Sequence, residues 1–464
     1  MSDRISNYMN KTVTVKNFKI LPYLWGITYN PLNTFSKLIK KYGNVLQLKV
    51  GKDSVYVVND PDVIKHILKT NQDNYPRGKS VDDLADLFGN GLLNSDEAIW
   101  QVERKALTPA FHNSQLEQFY QVFFEEARSF TTILKNYESE QKPINLEYHF
   151  KLLLMRITFR NLFSPDFNYD IPKIYDSLSL ILHHTTFKES NYRLFKSIIL
   201  KKKIKLFSND RNRAALQIIS ETAEKLFEQA YNGEIKTGGM LTILVKSVRE
   251  GITEKSTAVD ELKNVIFAGS DTVANGLLWL FYFLDKNQQY LEKIVEEIKD
   301  IDDVKLADQS ALRATPVVQS ALKETLRLVP PVWSFYRTSL ETENINGYVI
   351  PKGAFIMISP FLLHRSEKFW NNPLVFRPER FMTNEEVEQF NYIPFGQGKH
   401  ICIGNRLAQI EIQLLAIYLL KRFNFEFVSP TEGLPVLKPE LIIASKTKVK
   451  VRVENRTRKE LTSM

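Results

Sequence analysis

One cysteine occurs in 464 residues, and it stands in the stretch FGQGKHICIG, residues 395 to 404. A chain with one thiol has no internal disulfide, so packing alone must hold its core. Three glycines surround the sulfur, and a run with helical spacing follows it, in which Leu407, Ile410, Leu414 and Tyr418 form an apolar stripe. Such a cysteine can be an inert buried hydrophobe, a nucleophile or a metal ligand. The last two uses need a thiolate, and the free N–H groups and dipole of a helix start help to keep one ionised. Gly398 and Gly404 let the backbone turn tightly and approach a flat ligand. Donor N–H groups around the sulfur would tune a bound iron.

Charge narrows the partners. The net charge of +9 favours acidic ones. The basic residues are spread along the chain without a nucleic-acid motif, so no nucleic acid is expected. The opening segment lacks both the roughly 20 apolar residues of a membrane span and the pattern of a secretory signal. The expectation is a soluble, cytoplasmic protein with no membrane span. The basic stretch at 196–213 reads as a solvated helix face or as a peripheral membrane contact.

Residues 45–59 read as a β-hairpin, and DPDVIKHILKTN reads as a helix with an Asp cap and a first-turn proline. Apolar spacing makes residues 96–250 mostly helical, 258–298 one long helix with Gly269 inside it, and 314–328 a helix closed by Pro330 and Pro331. GYVIPKGAFIMIS, ELIIAS and KVKVRVE supply strands. The fold class is mainly α with a small β part. Residues 1–464 form a single unit, with 1–40 as its lead-in.

FGQGKHICIG resembles the haem-thiolate loop of the cytochrome P-450 family, Phe-x-x-Gly-x-Arg-x-Cys-x-Gly. Phe395, Gly398, Cys402 and Gly404 match, and His400 stands at the usual Arg position, still a potential donor to a haem propionate. Four further stretches agree in order and spacing. KETLRL carries Glu324 and Arg327 on one helix face, and FRPERF adds Arg380, which completes the family's buried ionic triad. AGSDTV resembles the oxygen-binding motif, with Ala268, Gly269, Asp271 and Thr272. Gly269 would leave room for a diatomic ligand, and Thr272 can bond back to a carbonyl one turn earlier and open the helix. WQVERKALTPAFH places Trp100 and Arg104 four apart as donors for a carboxylate, and Arg337 in FYRTSLE matches a further propionate-binding Arg.

The resemblance implies a cytochrome P-450 fold of the soluble bacterial type, with haem b between the oxygen-motif helix and the helix after the cysteine loop. It implies a monooxygenase that inserts one atom of O2 into a C–H bond of a hydrophobic small molecule such as a fatty acid or terpenoid. Cys402 would hold the iron, while Thr272 and Asp271 would deliver protons, with Asp271 joined to solvent. Leu84, Leu87, Phe88, Asn264, Phe267, Val332 and Trp333 fall in substrate-contact regions. Electrons would come from a separate ferredoxin or flavodoxin with its reductase, meeting a face with Lys399, Arg406 and Lys105, and the protein would be a monomer. The competing readings are a peroxygenase, a redox-independent haem-thiolate isomerase and a non-enzymatic haem or ligand sensor. The intact Asp271–Thr272 pair speaks against all three.

Overall fold

A computed structural model describes residues 12–456 except 17–18, 51–52, 78–87, 112–115, 167, 184–209, 308, 384–386 and 429–436. Helices dominate. In chain order the ones that matter are α1 (Leu21–Tyr29), α2 (Pro31–Tyr42), α3 (Pro61–Lys65), α4 (Glu97–Leu107), α5 (Leu116–Ser139) and α6 (Leu146–Leu162). They continue as α7 (Ile171–His183), α8 (Asp210–Tyr231), α9 (Gly239–Arg249), α10 (Lys255–Ala268), α11 (Asp271–Lys286), α12 (Gln288–Ile298), α13 (Pro316–Leu328) and α14 (Asn405–Leu420).

Burial sorts these helices. In α11 every residue from Val273 to Leu284 is buried, as is nearly every residue of α6 from Phe150 to Phe159 and every residue of α14 from Ile410 onward. Helices apolar on all sides belong in the middle of a fold, and these three do. By contrast α2 and α12 bury one stripe and lie outside. A second apolar cluster, built from α6 to α10, packs beside the first. The stretch Lys255–Lys286 is long and apolar enough to cross a membrane, but 78% of its apolar window is buried inside the protein.

The β part is small, as the sequence indicated. The expected hairpin is β2 (Val45–Val50) against β3 (Asp53–Val58), with Val45 opposite Val58. β1 (Val13–Lys16) adds in parallel to β2. β5 (Phe355–Ile358) lies parallel to β3, and β4 (Phe335–Thr338) antiparallel to β5, which gives the order β1-β2-β3-β5-β4. Asp60 caps α3 through the N–H groups of Asp62 and Val63, with Pro61 at the first position.

The long helix expected over 258–298 is three helices. It breaks at Gly269–Ser270, where Thr272 Oγ1 donates to the Ala268 carbonyl at 2.9 Å. A hydroxyl that takes a carbonyl one turn back competes with the backbone ladder. It breaks again at Asn287, whose side chain donates to the Phe283 carbonyl at 2.7 Å.

Candidate active site

The cysteine loop is shaped by its glycines. Gly398 has φ +76°, and a Cβ there would stand 1.7 Å from the Leu68 carbonyl oxygen, so only glycine fits. Cys402 N–H donates to the Phe395 carbonyl at 3.0 Å, closing the loop, and Gly404 caps α14. A Cβ on Gly404 would meet only the Phe111 ring, at 3.9 Å, so the protein leaves room beside the sulfur. Cys402 is accessible along this opening although protein surrounds it on its other sides. Burial pushes its thiol up, while the Gly404 N–H and the Arg104 charge pull it down. A cation at the sulfur would supply the missing stabilisation of the thiolate.

Around the loop gather more cations than anions. The His400 ring lies 4.0 Å from the Trp100 ring, and the Arg77 guanidinium sits 5.6 Å from the Trp100 ring centroid. Arg77 Nη1 donates to the Leu92 carbonyl, and its buried Nη2 has no hydrogen-bond partner among the described residues. Arg337 is 6% exposed and donates only to the neighbouring Tyr336 carbonyl, at 2.8 Å, among the described residues. Burial, then Arg77, bring Arg337 down to about 9. His400 is pushed down to about 2 by burial and by Arg77, Arg337, Lys399 and Arg104. It is therefore a neutral imidazole, and neither ring nitrogen has a hydrogen bond among the described residues, although Nε2 lies 3.2 Å from Glu97. Glu97 is shared with Lys399 at 2.8 Å.

Three guanidinium groups and an unpaired imidazole short of carboxylates make a costly arrangement unless anions join them. The two carboxylates of a haem fit that deficit. Ala268 from α10, and Ile403 and Leu407 from the cysteine side, border the same apolar cluster, so the opening lies between α10 and the start of α14. Arg77 was missed by sequence reasoning, since nothing local in YPRG marks it. Its signal is spatial, through Trp100 and Leu92.

The Glu324–Arg327–Arg380 triad is present and fully buried. Arg327 forks onto Glu324 at 2.7 and 2.8 Å, and Arg380 Nε reaches Glu324 at 3.4 Å. Arg327 also donates to the carbonyls of His364, Pro373 and Val375. The triad ties α13 to the segment that leads into the cysteine loop.

The oxygen motif needs corrections. The space left by Gly269 is taken by Thr158 of α6, whose Cγ2 would lie 2.8 Å from a Cβ there. Helix packing thus accounts for this glycine. Asp271 is not open to solvent: it is 3% exposed, and its Oδ2 lies 3.4 Å from the buried Lys151.

The expected substrate residues divide. Phe88 and Phe267 are buried with ring centroids 4.7 Å apart. Asn264 is a fastener instead of a substrate contact. Its Nδ2 donates to the Phe88 carbonyl at 2.7 Å and its Oδ1 accepts from Leu93 N–H at 2.8 Å. Asp260 and Glu261 accept likewise from Asn90 and Leu92, at 2.8 and 2.7 Å. Trp333 is core, packed near Phe35 and bonded to the Glu440 carbonyl at 2.9 Å, and Val332 is 37% exposed. Leu84 and Leu87 lie outside the described residues, as does most of the basic stretch. On the outer face Lys399 is no free cation, since Asp73 and Glu97 hold it at 2.7 and 2.8 Å, while Lys105 and Arg406 are exposed.

A mainly helical protein with one thiol at a helix start, beside guanidinium groups short of anions, belongs to the class that binds a flat, dianionic, metal-bearing group. The family description of cytochrome P450 matches residues 17–453, and the chain belongs to that family. It is a cytochrome P450 monooxygenase, and haem b is the family's cofactor. The chloroplastic protein LUTEIN DEFICIENT 5 of Arabidopsis thaliana is 28% identical over 426 residues, covering 87% of this chain and 70% of its own. Cyclooctatin synthase of Streptomyces melanosporofaciens is 26% identical over 423 residues, covering 89% of each. Cytochrome P450 4d1 of Drosophila melanogaster is 27% identical over 461 residues, covering 92% of this chain and 87% of its own.

Proposed function

We propose that Cys402 holds the haem iron, that Arg77, Trp100, Arg104, Arg337 and His400 hold the propionates, and that the enzyme hydroxylates a hydrophobic small molecule. The observation that carries this reading is the deficit of anions around Arg77, Arg104, Arg337 and His400, next to an accessible thiol. When bound, haem supplies reductive oxygen activation, which a thiolate ligand favours by pushing electron density toward the iron.

The chain's own residues do the rest. Gly404 N–H and Arg104 stabilise the sulfur charge. Neutral His400 keeps an N–H to donate without adding a fourth buried charge beside the guanidinium groups. Thr272, turned back onto Ala268, keeps a hydroxyl at the helix break that can pass a proton, with Asp271 next to it. Phe88 and Phe267 offer an aromatic wall that suits an apolar substrate and excludes water. Electrons come from an acidic protein donor that meets exposed Lys105 and Arg406, so salt slows the encounter.

The test is the absorption spectrum of the dithionite-reduced protein under carbon monoxide. A strongly red-shifted Soret band in the wild type, absent from Cys402→Ala, is expected. The same band in Cys402→Ala would sink the assignment.

A further inference from the structure

Lys151 lies inside α6, and its side chain is 9% exposed. It is the one lysine among the buried polar residues described. Packing alone gives no reason for it, because taking an ammonium out of water costs several kcal/mol per ion. Its Nζ stands 3.0 Å from Glu147 Oε1 and 3.4 Å from Asp271 Oδ2. The Tyr175 ring on α7 lies 5.8 Å away. The two carboxylates outweigh burial and hold the amine well above the usual lysine range.

Asp271 is an odd partner for a purely structural pair. One oxygen meets Lys151, and the other, Oδ1, is buried with no hydrogen-bond partner among the described residues. It opens α11, where the helix dipole favours its charge, and it directly precedes Thr272. Burial pushes its carboxyl up, Lys151 pulls it down, and Glu147 and Glu440 add smaller upward pushes. Glu147 is the outermost member of the set, its side chain 15% exposed. A file therefore runs from the rim of α6, through a buried ammonium, to the carboxylate of the residue that directly precedes the threonine at the helix break.

We propose that Glu147, Lys151 and Asp271 form the proton path that replaces the solvent connection Asp271 lacks, with Lys151 its carrier and positioning residue. This rests on reading Asp271 and Thr272 as the proton-delivering pair. An N–H bond of the Lys151 ammonium breaks as an O–H bond forms on Asp271. The Glu147 carboxylate takes up a proton from hydronium at the rim and hands it to the neutral amine, which returns Glu147 to a carboxylate. Asp271 passes its proton on toward the Thr272 hydroxyl. One proton moves inward per cycle, no electron moves, and every group ends in its starting state.

Lys151 also holds Asp271 ionised and in one orientation between transfers. Removing it takes away the attraction that opposes burial, which pushes the Asp271 carboxyl further up, toward its protonated form.

The experiment uses the haem-loaded full chain, with a plant-type ferredoxin and its reductase as electron source and oxygen as the only acceptor. Oxygen consumption and peroxide release are measured in H2O and D2O. Lys151→Met is expected to consume oxygen about a hundredfold more slowly, the low end of what a positioned proton donor contributes, with a larger D2O effect. Lys151→Arg keeps most of the rate, and Glu147→Gln slows it with the lysine intact. Infrared spectroscopy reads the carboxyl group independently of turnover. A protonated-carboxyl band should appear in Lys151→Met and vanish in the Lys151→Met/Asp271→Asn double variant.

Thr272→Ala separates the two readings. If it raises peroxide per oxygen while Lys151→Met and Glu147→Gln keep wild-type rates and D2O effects, the path is overturned and the role of Thr272 stands. If Thr272→Ala leaves peroxide unchanged, the proton pair is misread and the path falls with it. Should Lys151→Met not fold, Glu147→Gln decides: a wild-type rate and D2O effect overturn the path.

Discussion

Asn264 holds Phe88 by its backbone, Nδ2 to carbonyl at 2.7 Å, while the Phe88 ring meets Phe267 one turn further along the same helix as Asn264. One amide therefore sets how close two aromatic rings stand. Asn264→Ala strips partners from a buried carbonyl and from the Leu93 N–H, a loss of about 1–3 kcal/mol by the usual cost of an unsatisfied group. Urea unfolding checks the magnitude. Amide hydrogen exchange at Leu93 should quicken well beyond the change in global stability.

Arg337→Leu should act with opposite signs on the two forms of the protein. Without haem the variant gains stability, because an uncompensated buried cation is gone. With haem it loses a charge-assisted bond worth about 1.5–3 kcal/mol, which is roughly tenfold or more in haem release. Thermal unfolding of the cofactor-free chain and haem transfer to an excess of apomyoglobin read the two signs. A drop in both would mean that Arg337 serves only the fold.

Gly398→Ala places a methyl group on the Leu68 carbonyl and asks an L residue to hold φ +76°. Neither backbone can yield without moving the loop. The variant should lose at least about 3 kcal/mol and bind haem poorly. Gly396→Ala, also at positive φ but with open space around it, should fare better in the same melting comparison.

Stability should fall as pH rises through the neutral range, in part through Glu261. Burial, then the neighbouring Glu103, push the Glu261 carboxyl up from 4.5 to about 8, against the pull of Leu92 N–H and Arg77. The folded state binds the proton more tightly than the unfolded one. The contribution is thus complete below about 4.5 and is lost by about 8. Glu261→Gln should flatten part of this fall. Part must remain, because Glu411 is pushed up to about 8 by burial alone. Melting temperature against pH for the two proteins checks it, and parallel curves would exclude Glu261.

Much of this site was legible in the sequence because its parts are local. A cysteine two residues before a glycine-capped helix, a Glu and an Arg one turn apart, and a threonine one turn after an alanine all declare themselves by spacing. What was not legible depended on who comes near. Gly269 looked like room for a ligand until Thr158 of another helix filled it. Lys399 looked like a free cation until Asp73 and Glu97 closed on it. Asn264 and Trp333 lie where substrate contacts were expected, but their polar atoms go to Phe88, Leu93 and Glu440. Arg77 carries no local pattern, and Lys151 shows only its i,i+4 pairing with Glu147. Their other partners are fixed only when distant elements pack, and a linear spacing cannot report a neighbour 120 residues away, as Asp271 is from Lys151.

The cation cluster draws on residue 77, the helix that begins at Glu97, a strand at Arg337 and the loop at His400. No segment of the chain contains more than a fraction of it. During synthesis, a nascent chain that has emerged only as far as Arg337 can already fold helices, yet it lacks both His400 and the thiol. Cofactor loading must wait until the cysteine loop has left the ribosome, so a cell starved of haem would accumulate full-length empty protein and not stalled fragments.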